Sequence, residues 1–398
     1  MKKPCRPADI CAHLGDDYDR YLGAIVPPLF QNTLFTRKHE EHGYSYSRIN
    51  NPTIEILEKK LAALEHAPAA RVFASGMAAI TATLSSLLHS GGHVLALRSA
   101  YHPVIGFLDT EMKKYGVEVT YLERFTPEEI ERSLRPNTRV FYLESPSSNI
   151  FRVLPLREIA AQAHACGAVT VIDNTWATPL YQKPLELGID YSIHSATKYL
   201  GGHSDVLGGV VLGSEERMDA LRGGQRASWG ACMDPFAAWL LIRSLRTLEV
   251  RMARHSASAD KVARFLQEHP RVRSVCYPGL ETDEGHTLAQ TQMTGYSGLM
   301  SFVPDADNEA IHVMVKSLDV FEEGPSWGGF ESVVNTPGLN PNREMLQFEG
   351  IPQGLVRISV GLEDADTLIE DLDLSLIHIS RTCKALPQAR SLISIFTS

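Results

Sequence analysis

The chain has 398 residues, enough for about two or three domains and a large apolar core. Hydrophobic residues make up 44% and charged residues 21%, the balance of a soluble globular protein rather than a disordered or fibrous one. The net charge of −9, with a pI near 5.9 and no basic run, argues against nucleic-acid binding. No stretch reaches the roughly 18 apolar residues that a membrane span requires. The six cysteines (Cys5, Cys11, Cys166, Cys232, Cys276 and Cys383) are scattered without a C-x-x-C pair. That pattern argues against a disulfide framework or a zinc site, so no metal is expected, and it favours a reducing cytoplasm. The N-terminal MKKPCRPADICAHLGDD has no apolar segment of the kind a secretory signal carries.

Residues 1–50 read as an arm, rich in Pro, His, Tyr and Asn and without a sustained apolar period. Within YSYSRINNPT, Tyr46 and Arg48 alternate, so both point to one side of an extended segment. A helix follows, with Asn51 as N-cap, Pro52 at its first position and Ile54, Leu57, Leu61 and Leu64 as its buried stripe. From Arg71 strands and helices alternate. VFASGMAAITATLSSLL passes from a strand through Gly76 into an Ala-rich helix, and HVLALRS, VEVTYL, RVFYLES and AVTVIDN are β-branched runs between amphipathic stretches. This alternation predicts a mostly parallel sheet covered by helices on both faces. Ligands bind such a sheet beyond the carboxyl ends of its strands, where Ser75-Gly76-Met77, Tyr101, Glu144 and Asp173 fall.

DVLGGVVLG is a further strand, and the region from Asp234 to His269 reads as one long helix with Leu240, Leu241, Leu245 and Leu248 buried, ended by Pro270. A domain boundary is placed near Leu245, giving a domain over 51–245 and a smaller α/β domain over 246–373. The smaller domain has strands in RVRSVCY, GLMSFV and GLVRISV and helices near 307–316 and 363–373. Residues 374–398 hold no Asp or Glu and follow no steady apolar period, so they are expected to be a disordered or loosely docked tail, foreign to the domain. An amphipathic docking helix is the alternative.

The stretch HSATKYLGGHSD centres on Lys198, which has no carboxylate within six residues on either side. That setting suits an amine whose pKa is lowered for use as nucleophile and base. Asp173 ends an apolar strand and needs a cationic partner, and a protonated pyridine nitrogen is one. A lysine that bonds an aldehyde and an aspartate that faces a pyridinium are what pyridoxal 5′-phosphate requires. A helix N-cap is the alternative for Asp173. The start of the helix at Gly76 and Met77, with Ser195, Thr197 and Arg48, offers donors to a phosphate. Neither a P-loop nor a G-x-G-x-x-G motif is present. Tyr101 is placed to stack on the ring and exchange a proton, or else to pack at the sheet rim. Arg357, a cation inside an apolar strand, needs a partner, either a substrate carboxylate or a salt bridge to Glu331 or Glu363.

These residues carry a resemblance. YSYSRINNPT, ASGMAAI, LESPSS, VIDNTWATP, HSATKYLGGHSD, PSWGGFES and VRISVGLED occur in the order typical of the Cys/Met-metabolism family of fold-type I pyridoxal-phosphate enzymes, over about Gly23 to Asp373. The resemblance implies a large domain built on a mostly parallel seven-stranded sheet. It implies Lys198 as the cofactor-bonding lysine, Asp173 as partner of the ring nitrogen, and Gly76, Met77, Ser195 and Thr197 as phosphate ligands. Tyr101 is implied over the ring. Ser326, Trp327 and Arg357 are implied as receivers of the substrate carboxylate. Tyr46 and Arg48 are implied to reach the phosphate of a neighbouring subunit, hence a homodimer or a homotetramer.

Within the family, the γ-acting enzymes usually carry Glu before Ser-Leu-Gly-Gly, whereas this chain reads Pro325-Ser326-Trp327-Gly328-Gly329, similar to bacterial β-lyases, which often have Tyr in place of Pro325. Pro103, in AYHP, stands where methionine γ-lyases have Cys. The Asn of the family's Ser-Asn-Pro is displaced by one residue at Asn149, so no role is transferred to it. The resemblance therefore implies a carbon–sulfur β-lyase acting on an amino-acid thioether, L-cystathionine, and releasing homocysteine, pyruvate and ammonia. Lys198 is the expected base for the α-proton, and Lys198 or Tyr101 the proton donor to the leaving thiolate. A γ-synthase or γ-lyase of the same family, and a non-catalytic binding module, are the alternatives.

Overall fold

The computed structural model describes residues 6–36, 38 and 43–385. The strands of the first sheet are β1 (Ala69–Phe73), β2 (His93–Leu97), β3 (Glu118–Leu122), β4 (Thr138–Glu144), β5 (Val169–Asp173), β6 (Tyr191–Ser195) and β7 (Gly209–Gly213). They form a seven-stranded sheet in the order β1-β7-β6-β5-β4-β2-β3. Only β7 runs antiparallel to its neighbours. Strands β2, β4 and β5 are buried almost throughout, as a sheet with both faces covered requires, and their side chains form one apolar core with the flanking helices. The sheet is the one expected. β6 was not legible as a strand, because Ser192 and His194 break its apolar run, yet both are buried.

Asn51 caps the helix Pro52–Glu65 by accepting from Thr53 N at 2.9 Å, and Ile54, Leu57, Leu61 and Leu64 are its buried stripe, as the spacing predicts. The long helix expected over 234–269 is instead two, Pro235–Leu245 and Leu248–Glu268. The break has a tertiary cause. Arg246 turns out to pair with Asp16 at 2.9 Å, and Arg251 donates to Ser244 O across the break at 3.0 Å. Leu241, Leu245 and Leu248 are buried, and Leu240 only partly. We propose that the two domains divide at this break.

The second sheet comprises β8 (Val272–Cys276), β9 (Leu299–Pro304), β10 (Glu322–Glu323), β11 (Val333–Asn335) and β12 (Val356–Ser359), in the order β10-β11-β12-β9-β8. β10 and β11 are short and were not foreseen. The helices Asn308–Lys316 and Ala365–Ala385 pack on it around a separate apolar core. The latter helix corrects the expectation for the tail. Its first part continues the helix, with Leu376 fully buried, because Leu368, Leu372 and Leu376 repeat on one face. Residues 386–398 lie outside the described residues. No helix among the described residues is long and apolar enough to cross a membrane.

Candidate active site

The carboxyl ends of β4, β5 and β6 open into a cavity of about 420 Å³, closed on the other side by β12 and the loop before β11. Ser75, Gly76, Met77, Tyr101, Glu144, Asp173, Ser195, Thr197, Lys198, Ser326, Trp327 and Arg357 all line it. Residues from both sheets are therefore brought to one site, as the sequence reading requires.

Lys198 follows β6 in a turn whose Gly202 N donates to Lys198 O at 2.7 Å. Its Nζ donates to Ser326 Oγ at 2.8 Å and lies 5.3 Å from the centre of the Trp327 ring. Burial, and then the Arg357 guanidinium, lower this lysine to about 8, with Asp173 acting in the opposite sense. The loop that brings Ser326 and Trp327 to it depends on Gly328, at φ +81°, where a Cβ would lie 2.9 Å from Tyr199 N and 3.2 Å from Lys198 Cβ.

Asp173 is buried at the end of β5. Its Oδ1 accepts from Thr175 N at 2.9 Å and from Thr175 Oγ1 at 2.5 Å, and Thr175 Oγ1 accepts in turn from Ser195 N at 2.8 Å. Asp173 is not a helix N-cap: the next helix begins at Thr178 behind Ala177, and Oδ1 closes a local turn with Thr175 instead. Among the described residues Oδ2 takes no hydrogen bond. Burial raises the Asp173 carboxyl above its ordinary range, against the Thr175 donors, His194 and Lys198. A cation facing Oδ2 is what such a carboxyl lacks.

The helix Gly76–Leu87 starts at the cavity, capped by Ser75 Oγ, which accepts from Ala78 N at 3.1 Å. The Gly76 and Met77 N–H groups are left for an anion. A Cβ on Gly76 would stand 2.8 Å from both Cβ and Oγ of Ser195, so only glycine lets the helix start and the serine form one cradle. Thr197 Oγ1 accepts from Gly208 N at 3.1 Å and shapes the turn. Tyr101 is 47% exposed toward this space, and burial, then Asp173 and Glu144, raise its phenol.

Arg357, on β12, donates to Pro325 O at 2.7 Å and Asn149 Oδ1 at 3.4 Å, and to no carboxylate among the described residues. Burial lowers it to about 10. The alternative partners are engaged elsewhere: Glu363 accepts from Ser332 N at 2.7 Å, and Glu331 accepts from Ser204 Oγ. Asn149, to which no role was given, thus belongs to the site. Its left-handed φ of +62° in a loop that lines the cavity shows only in the structure, and no local pattern in the sequence pointed to it.

Tyr46 and Arg48 lie outside this cavity. Arg48 sits over the Tyr46 ring at 5.6 Å and donates to Ala227 O. They border a separate surface hollow with Cys232 and Asp234.

The amine, the facing carboxyl and the phosphate cradle fit pyridoxal phosphate. Residues 8–377 match the family described as Cys/Met metabolism PLP-dependent enzyme. The chain belongs to this family. Its cofactor is pyridoxal phosphate. Among its relatives are the L-methionine gamma-lyase of Fusobacterium nucleatum (37% identity over 90% of this chain and 94% of that one) and the cystathionine gamma-lyase of Bacillus subtilis (37%, over 92% and 98%). The cystathionine beta-lyase of Lactococcus lactis is also 37% identical, over 92% and 97%. The crystal structure of cystathionine gamma synthase from Xanthomonas oryzae, in complex with aminoacrylate and cysteine, superposes with a TM-score of 0.91 at 32% identity, covering 96% of this chain and 100% of that chain.

Proposed function

We propose that this chain is a carbon–sulfur β-lyase acting on L-cystathionine, with homocysteine, pyruvate and ammonia as products. The observation that carries this reading is the placement of Lys198 Nζ between Ser326 Oγ at 2.8 Å and the Trp327 ring at 5.3 Å. Elimination at the β-carbon needs one proton removed, from the α-carbon, whereas elimination at the γ-carbon needs a base that also serves the β-carbon. An amine held on two sides suits a single post. Pro325 supports the same reading, because no carboxylate stands where the γ-acting members usually carry one.

When bound, pyridoxal phosphate supplies a sink for the electron pair left on the substrate's α-carbon. Asp173 would pair with the ring nitrogen and favour its protonated form. Gly76, Met77, Ser195 and Thr197 would hold its phosphate. Arg357 grips the substrate carboxylate beside Ser326 and Trp327. Lys198, lowered to about 8, takes the α-proton near neutral pH, and Lys198 or Tyr101 returns a proton to the departing thiolate.

Tyr46 and Arg48 act on the site of a neighbouring copy, which makes the working unit a homodimer or a homotetramer. Cys11, Cys166, Cys232 and Cys276 are free, which supports a cytoplasmic location. The names of the γ-lyase relatives favour a second reading, a γ-lyase. Product analysis with L-cystathionine decides between them. Pyruvate with homocysteine is the expected result, and 2-oxobutyrate with cysteine replaces the β-lyase reading by the γ-lyase.

A further inference from the structure

Glu144 ends β4 and is 8% exposed, yet neither cofactor nor substrate claims it in the reading above. Its two oxygens face two loops. Oε2 accepts from the backbone N–H of Tyr101 at 2.7 Å, and Oε1 accepts from Ser148 Oγ at 2.5 Å. The residue after Ser148 is Asn149, whose Oδ1 accepts from Arg357 Nη1 at 3.4 Å and whose carbonyl accepts from Ser301 Oγ on β9 at 2.6 Å. One carboxylate is therefore joined on one side to the tyrosine over the cavity and on the other to the loop that meets the guanidinium.

We propose that Glu144 is a positioning residue that sets Tyr101 and Arg357 relative to each other, so that a substrate's carboxylate is received in one orientation. The inference rests on the reading of Tyr101 and Arg357 above and is independent of which carbon–sulfur bond is cut. The physical ground is that both partners are donors. Neither the Tyr101 N–H nor the Ser148 hydroxyl, both part-buried, has another acceptor among the described residues, so loss of Glu144 frees both loops from their shared anchor. Burial, then the neighbouring Asp173, push the Glu144 carboxyl up to about 8, against the Ser148 and Tyr101 donors.

The test uses holoenzyme and two unreactive probes, L-alanine and ethylamine, which share an amine and differ in the carboxylate. Their Kd values are read from the change in cofactor absorbance, and the ratio reports how well the carboxylate is received. Glu144→Ala is expected to lower the preference for L-alanine about tenfold, and Ser148→Ala about threefold, with cofactor affinity unchanged. Glu144→Gln is expected to restore most of the preference, since its amide oxygen still accepts from Tyr101 N–H and the Ser148 hydroxyl rotates to accept from its NH2. Ser148→Ala keeps the test open should Glu144→Ala fail to fold. Arg357→Lys is the reference. An unchanged ratio in Arg357→Lys overturns the reading of Arg357 and this proposal with it. A lowered ratio there beside unchanged ratios in Ser148→Ala and Glu144→Ala overturns the role of Glu144 alone.

Discussion

Lys198 and Ser326, 128 residues apart, meet at 2.8 Å, so a side chain from the loop before β11 holds the amine delivered by the turn after β6. The contact ties the Lys198 amine to the loop proposed above to receive the substrate. Its consequences are open to measurement.

The amine must be neutral to bond an aldehyde, and Lys198 is lowered to about 8 by burial and Arg357. The rate of pyridoxal phosphate capture by apoprotein should rise about tenfold per pH unit below that value and level off above it, as absorbance stopped-flow would record. A lysine at its ordinary value would keep rising to about pH 10.4. Arg357→Leu should move the plateau to higher pH and Asp173→Asn to lower pH. A rise that continues past pH 10 in the unmodified protein would rule out the lowered lysine.

Gly76 has no room for a methyl group against Ser195. Gly76→Ala is expected to weaken pyridoxal phosphate binding at least tenfold in equilibrium dialysis and also to lower the melting temperature of the apoprotein, because the methyl group forces the helix start and Ser195 apart. An unchanged Kd would mean that the phosphate is held elsewhere.

Arg357 presents a planar fork to the cavity from a largely enclosed position. Arg357→Lys keeps the charge but loses the bidentate geometry, so kcat/KM on L-cystathionine should fall about 10–100-fold, chiefly through KM, with the cofactor spectrum intact. A loss confined to kcat would place Arg357 in the chemistry and not in substrate binding.

Arg48 and Tyr46 stand away from the cavity of their own chain. If they complete a neighbour's site, co-expressed Arg48→Ala and Lys198→Ala protomers should regain about a quarter of the unmodified activity, since half the pairs are mixed and each mixed pair holds one intact site. Mixed protein no more active than its parents would sink the shared site.

Much of the fold is legible locally. The strands β2 to β5 announce themselves as β-branched runs, and Asn51-Pro52 announces the start of its helix, because capping and periodicity depend on near neighbours. β6 does not, because Ser192 and His194 interrupt its apolar run, and His194 is held inside by a distant partner. His194 Nε2 lies 2.5 Å from Glu65 Oε2, contributed by the end of the helix Pro52–Glu65. The break at Arg246 and Thr247 carries no Gly or Pro and arises from contacts with Asp16 and across the break.

The site divides along the same line. Sequence by itself determined which groups exist and where strands end: an amine without nearby charge at Lys198, a carboxyl at the end of β5, a glycine at a helix start, and a motif order that belongs to one family. These follow from covalent order and short-range periodicity. Only the tertiary structure decided that, among the described residues, Arg357 meets no carboxylate and Asp173 keeps one oxygen free, that Asn149 supports Arg357, and that Lys198 is lowered to about 8. Desolvation and Coulomb terms are sums over atoms brought together from both sheets, and no local pattern encodes such a sum.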